Sequence, residues 1–178
     1  MRLGRLRLVV PIVAALSAGL VAPASVLGLE TTATGQALLG TFLKAATGVV
    51  GFDGGGVPAF SNTLVTCPVG TAPSCAVEIG VSTQMALTSC EGCDAIRVRV
   101  RVFNNTTNAP VAVFPASDIT SEPEPNQNFY ATRHFTWFAK GLTAGGTYRI
   151  EVTVRTLGGS FANLNNRTQA VRLYDEGP

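Results

Sequence analysis

The sequence predicts an all-β protein: one antiparallel β-sandwich of immunoglobulin-like or jelly-roll topology. Three observations carry that prediction. Residues 75–88, 95–103 and 147–157 alternate apolar and polar side chains with period two, the pattern of a strand with one buried face. Segments rich in Gly, Pro, Asn and Thr separate these runs, as antiparallel connections require. No alternation of strand and helix patterns supports a parallel sheet. Composition agrees. The 178 residues fit one ordinary domain. A hydrophobic share of 46% with 13% charged residues excludes a disordered chain. Nineteen glycines cannot occupy every third position, which excludes collagen. A single long apolar run, at the N-terminus, excludes a multi-span membrane protein.

Residues 1–24 read as an export signal. Arg2, Arg5 and Arg7 form a positive start, an uncharged run follows from Leu8 to Val21, and Ala22-Pro23-Ala24 supplies a small-residue site with cleavage before Ser25. The competing reading is an uncleaved anchor, because residues 8–29 carry no charge. Pro11, Pro23 and several small residues argue against a spanning helix. Arginine outnumbers lysine 11 to 2, a skew that suggests a bacterial genome of high GC content.

Residues 25–56 form an N-terminal segment and a Gly-rich linker ahead of a sandwich over 57–178. Leu38, Leu39, Phe42, Leu43 and Ala46 fit a helical stripe that Gly48 would end. A first strand fits the same residues nearly as well, since Gly40 weakens a helix. The run Gly54-Gly55-Gly56 reads as a flexible link. In residues 75–88, Cys75, Val77, Ile79, Val81, Met85 and Leu87 share one parity. In 95–103, Ile96, Val98, Val100 and Val102 face one way and Arg97, Arg99 and Arg101 the other. In 147–157, Tyr148, Ile150, Val152 and Val154 turn inward and Arg149, Glu151, Thr153 and Arg155 outward. Weaker strand patterns lie near 60–67, 111–115, 129–139 and 168–174. Export places the chain where disulfides persist. Cys75 and Cys90 stand fifteen residues apart along one strand pattern, up to ~50 Å, whereas a disulfide needs Cα atoms within about 7 Å. The expected bridges are therefore Cys67–Cys75 and Cys90–Cys93, each closing a hairpin loop. The Cys90-x-x-Cys93 spacing lacks the helix N-terminus that a redox thiolate wants.

Reactive constellations are sparse, and no catalytic residue is assigned. His134 is the only histidine, so a Ser-His-Asp or Cys-His mechanism must use it, and several-histidine zinc sites are excluded. No G-x-S-x-G elbow occurs. Glu78 and Glu151 are the alternating carboxylates open to a glycosidase reading, although neighbouring arginines explain them as cross-strand ion pairs. Arg97, Arg99 and Arg101 form either an anion-binding patch or a solvated face that discourages edge aggregation. Glu78, Glu151 and the near-neutral total favour the solvated face. Asp118, Glu122 and Glu124 offer oxygen ligands for Ca²⁺, the one cofactor considered, but Pro123 and Pro125 hold the two glutamates extended. Tyr130, His134 and Phe138 share the outward parity of a strand whose Phe135 and Trp137 turn inward, so they are the candidate ligand-binding ledge, suited to a glycan.

Residues 141–152 contain Gly141, Leu142, Gly145, Tyr148, Ile150 and Val152 in a register that resembles the E–F corner of fibronectin type III and bacterial immunoglobulin-like sandwiches. The resemblance implies a tyrosine corner, in which Leu142 plugs the core and the Tyr148 hydroxyl bonds to backbone upstream. Ala144 stands where that pattern has proline. The corner is structural and carries over no functional residue.

The expectation is an exported, non-enzymatic binding or surface-structural module of a bacterial envelope. A carbohydrate-binding module and a small secreted hydrolase are the alternatives. Loops 68–74, 104–110 and 121–128 are the expected contact surfaces, and a cell-surface protein or glycan the expected partner. Membrane contact would come only through an uncleaved N-terminus. The formal charge of +2 does not point to nucleic acid: without Arg2, Arg5 and Arg7, ten basic residues face eleven acidic ones, a net of −1.

Overall fold

A computed structural model describes residues 37–69, 73–89, 95–115, 118–121, 129–158 and 160–176. The expected export signal, its cleavage site, Cys90, Cys93, Glu122 and Glu124 lie outside them. Twelve strands follow in chain order among the described residues: β1 Leu38–Ala46, β2 Val50–Phe52, β3 Val57–Pro58, β4 Thr63–Thr66, β5 Ser74–Ser89, β6 Ile96–Asn104, β7 Pro110–Val111, β8 Val113–Phe114, β9 Ile119–Ser121, β10 Ala131–Thr143, β11 Thr147–Thr156 and β12 Phe161–Asp175.

They form two antiparallel sheets packed as a sandwich. Sheet A has the order β1-β12-β5-β10-β8, with β2 beside β12 beyond the end of β1. Sheet B has the order β3-β11-β6-β7, with β4 also on β11 and β9 also on β6. The alternation that predicts the strands is the alternation that fills the core. Val77, Ile79, Val81 and Met85 of β5 meet Ile96, Val98 and Val102 of β6, Ile150, Val152 and Val154 of β11, and Trp137 of β10 in one buried cluster. Each such side chain, fully removed from water, contributes roughly 1.5–3 kcal/mol.

Four expectations are corrected. Residues 38–46 are strand, not helix: β1 pairs with β12 from Leu38↔Tyr174 to Ala46↔Arg167. A helix of nine residues containing glycine is marginal by itself, whereas the edge of β12 satisfies the backbone groups of β1. The sandwich therefore takes in residues 38–52, which were expected to precede it. The glycine run is not a flexible link but a tight turn that carries the chain from sheet A to sheet B. Gly55 N–H donates to Asp53 Oδ1 at 2.9 Å and Gly56 N–H to the Asp53 carbonyl at 3.2 Å, and Gly56 adopts φ +78°. Third, the weak pattern at 168–174 belongs to the fifteen-residue β12. Its first half is obscured by Asn163, Asn165 and Asn166 and by a bulge. The step Leu164 to Arg167 faces the shorter step Met85 to Thr83, so the extra residue lies in β12.

Fourth, the Cys67–Cys75 disulfide, with Cα atoms 5.9 Å apart, does not staple a hairpin. Cys67 follows β4 of sheet B and Cys75 lies in β5 of sheet A, so the bridge ties the two sheets together. It sits beside the β10–β11 corner. The Cys67 amide donates to the Gly146 carbonyl at 3.0 Å, and the Gly145 amide donates to the Cys67 carbonyl at 2.8 Å. Within the corner, the Thr143 amide donates to the Tyr148 hydroxyl oxygen at 2.7 Å. Leu142 is fully buried. A Cβ on Gly146 would stand 2.9 Å from the Thr143 carbonyl oxygen and from the Tyr148 ring, so the corner closes only over glycine there.

Candidate functional site

The outer face of sheet B gathers the charge. Because Val98 and Val100 of β6 must face the core, Arg97, Arg99 and Arg101 face out, and Phe103 with them. The same logic on β11 turns Arg149, Glu151, Thr153 and Arg155 outward. Antiparallel register then interleaves the two sets: Arg97 lies across from Arg155, Arg99 from Thr153, Arg101 from Glu151 and Phe103 from Arg149. Strand β9 pairs with β6 on its other side and brings in Asp118 just ahead of it.

Two carboxylates hold these five arginines. Asp118, whose side chain is 6% exposed, takes Arg99 Nε, Arg155 Nη2 at 3.2 Å and Arg97 Nη1 at 3.5 Å. Glu151 takes Arg101 and Arg149, each at 3.0 Å. The Arg101 and Arg149 guanidinium groups also lie over the Phe103 ring, 5.7 and 5.1 Å from its centroid, where the negative face of the ring attracts them. Among the described residues the face keeps an excess of three positive charges. Between the residue 55–58 turn and Arg97, Arg99, Arg101 and Arg155 lies a cavity of about 200 Å³. Another cleft, of about 690 Å³, lies where β1 and β2 approach residues 57–61. Its cations serve main-chain carbonyls, Lys44 those of Ser61 and Asn62, Arg167 those of Ala59 and Gly48.

This grouping corrects the balance drawn from the sequence. Glu78 is not on the arginine face. It lies on sheet A, 7% exposed, with Arg172 Nη1 and the Tyr174 hydroxyl each donating to it at 2.9 Å. Burial first, then the Glu78 hydrogen bond and charge, push the Tyr174 hydroxyl up to about 12, against the opposing pull of Arg172. Glu78 and Glu151 therefore point away from each other on opposite sheets. Sheets pack about 10 Å apart, and a glycosidase pair is separated by ~5–9.5 Å, so these two carboxylates cannot flank one bond.

The other candidates separate too. His134 is exposed on β10 across from Ser82. Among the described residues it forms no hydrogen bond with a hydroxyl or carboxylate. Tyr130 and Phe138 lie on one side but eight residues apart, roughly 26 Å in a strand, too far to form one ledge. Phe138 instead pairs with Phe114 of β8, which is 74% exposed. Asp118 is surrounded by three guanidinium groups, which repel a cation and occupy its oxygens. Among the described residues no three His, Cys, Asp or Glu side chains group as a metal site. Sequence reasoning did not join Arg149, Arg155 and Thr153 to the stripe on 95–103, and it passed over Phe114. The signal for the first three was their shared outward parity on a strand that could pair with 95–103.

Neither the protein-family comparison nor the search of curated proteins finds a match to this chain. Among solved structures, the chain is similar to one described as the EclA C-terminal domain, a sugar-binding protein. The identity is 13%, over 71% of this chain and 79% of that one, with a TM-score of 0.33.

Proposed function

We propose that this protein is an exported, non-catalytic binding module of a bacterial envelope, and that the outer face of sheet B holds an acidic surface polymer. One observation carries the reading: five arginines share one rigid sheet face with two carboxylates among the described residues. A sheet presents such charges at set spacings without the ordering cost of a loop. Export is supported by the charged start, apolar run and small-residue site of residues 1–24, and by the Cys67–Cys75 bridge, which suits an oxidising compartment. Among the described residues no helix is long and apolar enough to cross a membrane. The test is retention of the full chain on an immobilised acidic polysaccharide, read against salt. Binding should weaken steeply as salt rises, and Arg99→Gln/Arg101→Gln should cut affinity at least tenfold. Salt-independent retention, or none in dilute buffer, would sink the reading.

A second reading has its own observation. The exposed Phe114, paired with the half-buried Phe138 at the edge of sheet A, offers planar apolar surface for a neutral glycan. A glycan array comparing the wild type with Phe114→Ala separates the two faces.

A further inference from the structure

We infer that the cavity beside Arg97, Arg99 and Arg155 is a seat for a tetrahedral oxyanion, the phosphate or sulfate group of an anionic ligand. This rests on the reading of sheet B as the binding face and names the group it takes. The cations form the sheet-side wall of the cavity, and the residue 55–58 turn stands opposite. Arg97, Arg99 and Arg101 follow one another at alternate positions of β6, and Arg155 faces Arg97 from β11. A guanidinium offers a planar fork of donors that matches an oxyanion edge. Donors contributed by two strands suit an acceptor with several oxygens, as phosphate and sulfate have. Charge is also left over, since Asp118 is the one carboxylate that touches Arg97, Arg99 and Arg155 among the described residues.

Thr153, across from Arg99, adds a hydroxyl to the lining. The opposite wall is positioned by backbone. At Gly56 a Cβ would lie 3.3 Å from both the Arg155 Cβ and the Val154 carbonyl oxygen, so the turn sits directly against Arg155.

The experiment measures melting temperature and calorimetric binding of the full chain with inorganic phosphate, sulfate or acetate at matched ionic strength. Phosphate or sulfate should raise the melting temperature by about 2–5 °C where acetate does not. The stronger of the two identifies phosphate-bearing or sulfate-bearing polymer as the source. Arg155→Gln and Arg99→Gln should each abolish the selective shift, Thr153→Val should weaken binding a few-fold, and the sheet A substitution Lys140→Gln should leave it intact. Equal shifts with all three anions, or a shift that survives in folded Arg155→Gln and Arg99→Gln, overturn the seat. If the wild type still binds acidic polysaccharide while phosphate and sulfate do nothing, the seat fails and the binding face stands. If neither binds, both fail.

Discussion

Asp118→Asn separates a binding face from a merely structural charge network, because the two roles respond in opposite directions. The carboxylate has a nearly buried side chain and meets three arginines whose side chains are 32, 48 and 39% exposed. That exposure screens each pair, so none contributes more than a fraction of the buried limit. Asparagine keeps one carbonyl acceptor for the nearest guanidinium and removes the charge. The expected loss is about 1–2 kcal/mol, seen as a melting temperature lower by roughly 3–6 °C. Binding should move the other way. An anion seated across one guanidinium from Asp118 lies roughly 7 Å from it, where like charges repel by ~0.6 kcal/mol at the dielectric of water and ~2.4 kcal/mol at an effective value of 20. Removing that repulsion should tighten binding of acidic polysaccharide about three- to sixtyfold at low salt, and the gain should fade as salt is added. Thermal denaturation by circular dichroism and titration calorimetry read the two effects. A variant that is less stable and binds no better would refute the reasoning, since Asp118 would then be holding the arginines in place for folding alone.

Two further outcomes follow from other parts of the structure. The Tyr174 hydroxyl is raised above its ordinary 10 to about 12 in the folded state. Its contribution is therefore full below pH 10 and is lost as pH rises toward 12. Phenolate absorbance should show a late phase from Tyr174, and Glu78→Gln should bring it earlier; an unchanged late phase in that variant would disprove the link to Glu78. Replacing Cys67 and Cys75 together by alanine should cost about 2.5 kcal/mol on the chain-entropy estimate for so short a loop, read by urea denaturation. Unaltered stability would show that the hydrogen bonds of Cys67 to Gly145 and Gly146 hold the sheets together without the bridge.

Much of the fold was legible because its signal is local. Val77 and Ile79 alternate with Glu78 in the chain itself, and a half-buried strand is the one structure with that period. The corner was legible for the same reason: Gly141, Leu142, Gly145 and Tyr148 lie within eight residues. The strand nature of residues 38–46 was harder to read, because an edge strand beside β12 has no strict alternation to display. The burial of β1 runs half-buried and exposed without a clean period. β12 was half hidden because its bulge shifts the inward parity between Leu164 and Val171. The candidate site was the least legible part. The outward parity of Arg97 and of Arg155 could be read separately, but their adjacency is a fact of register, and register depends on how the 57 intervening residues fold.

The chain by itself determined which residues turn inward, which turn outward, and that the turns between them make an antiparallel sandwich. It also determined a summed charge near zero once the N-terminal arginines are set aside. Only the tertiary structure decided how that charge is distributed. Glu78 and Glu151 share the same relation to their strands, yet one lies on sheet A and the other on sheet B. Cys67 and Cys75 are close in sequence, yet their strands belong to different sheets. The physical reason is range. Side-chain parity is set by the geometry of neighbouring residues, whereas sheet membership and register are set by burying the whole core at once, and electrostatic attraction depends on distance in space and not along the chain.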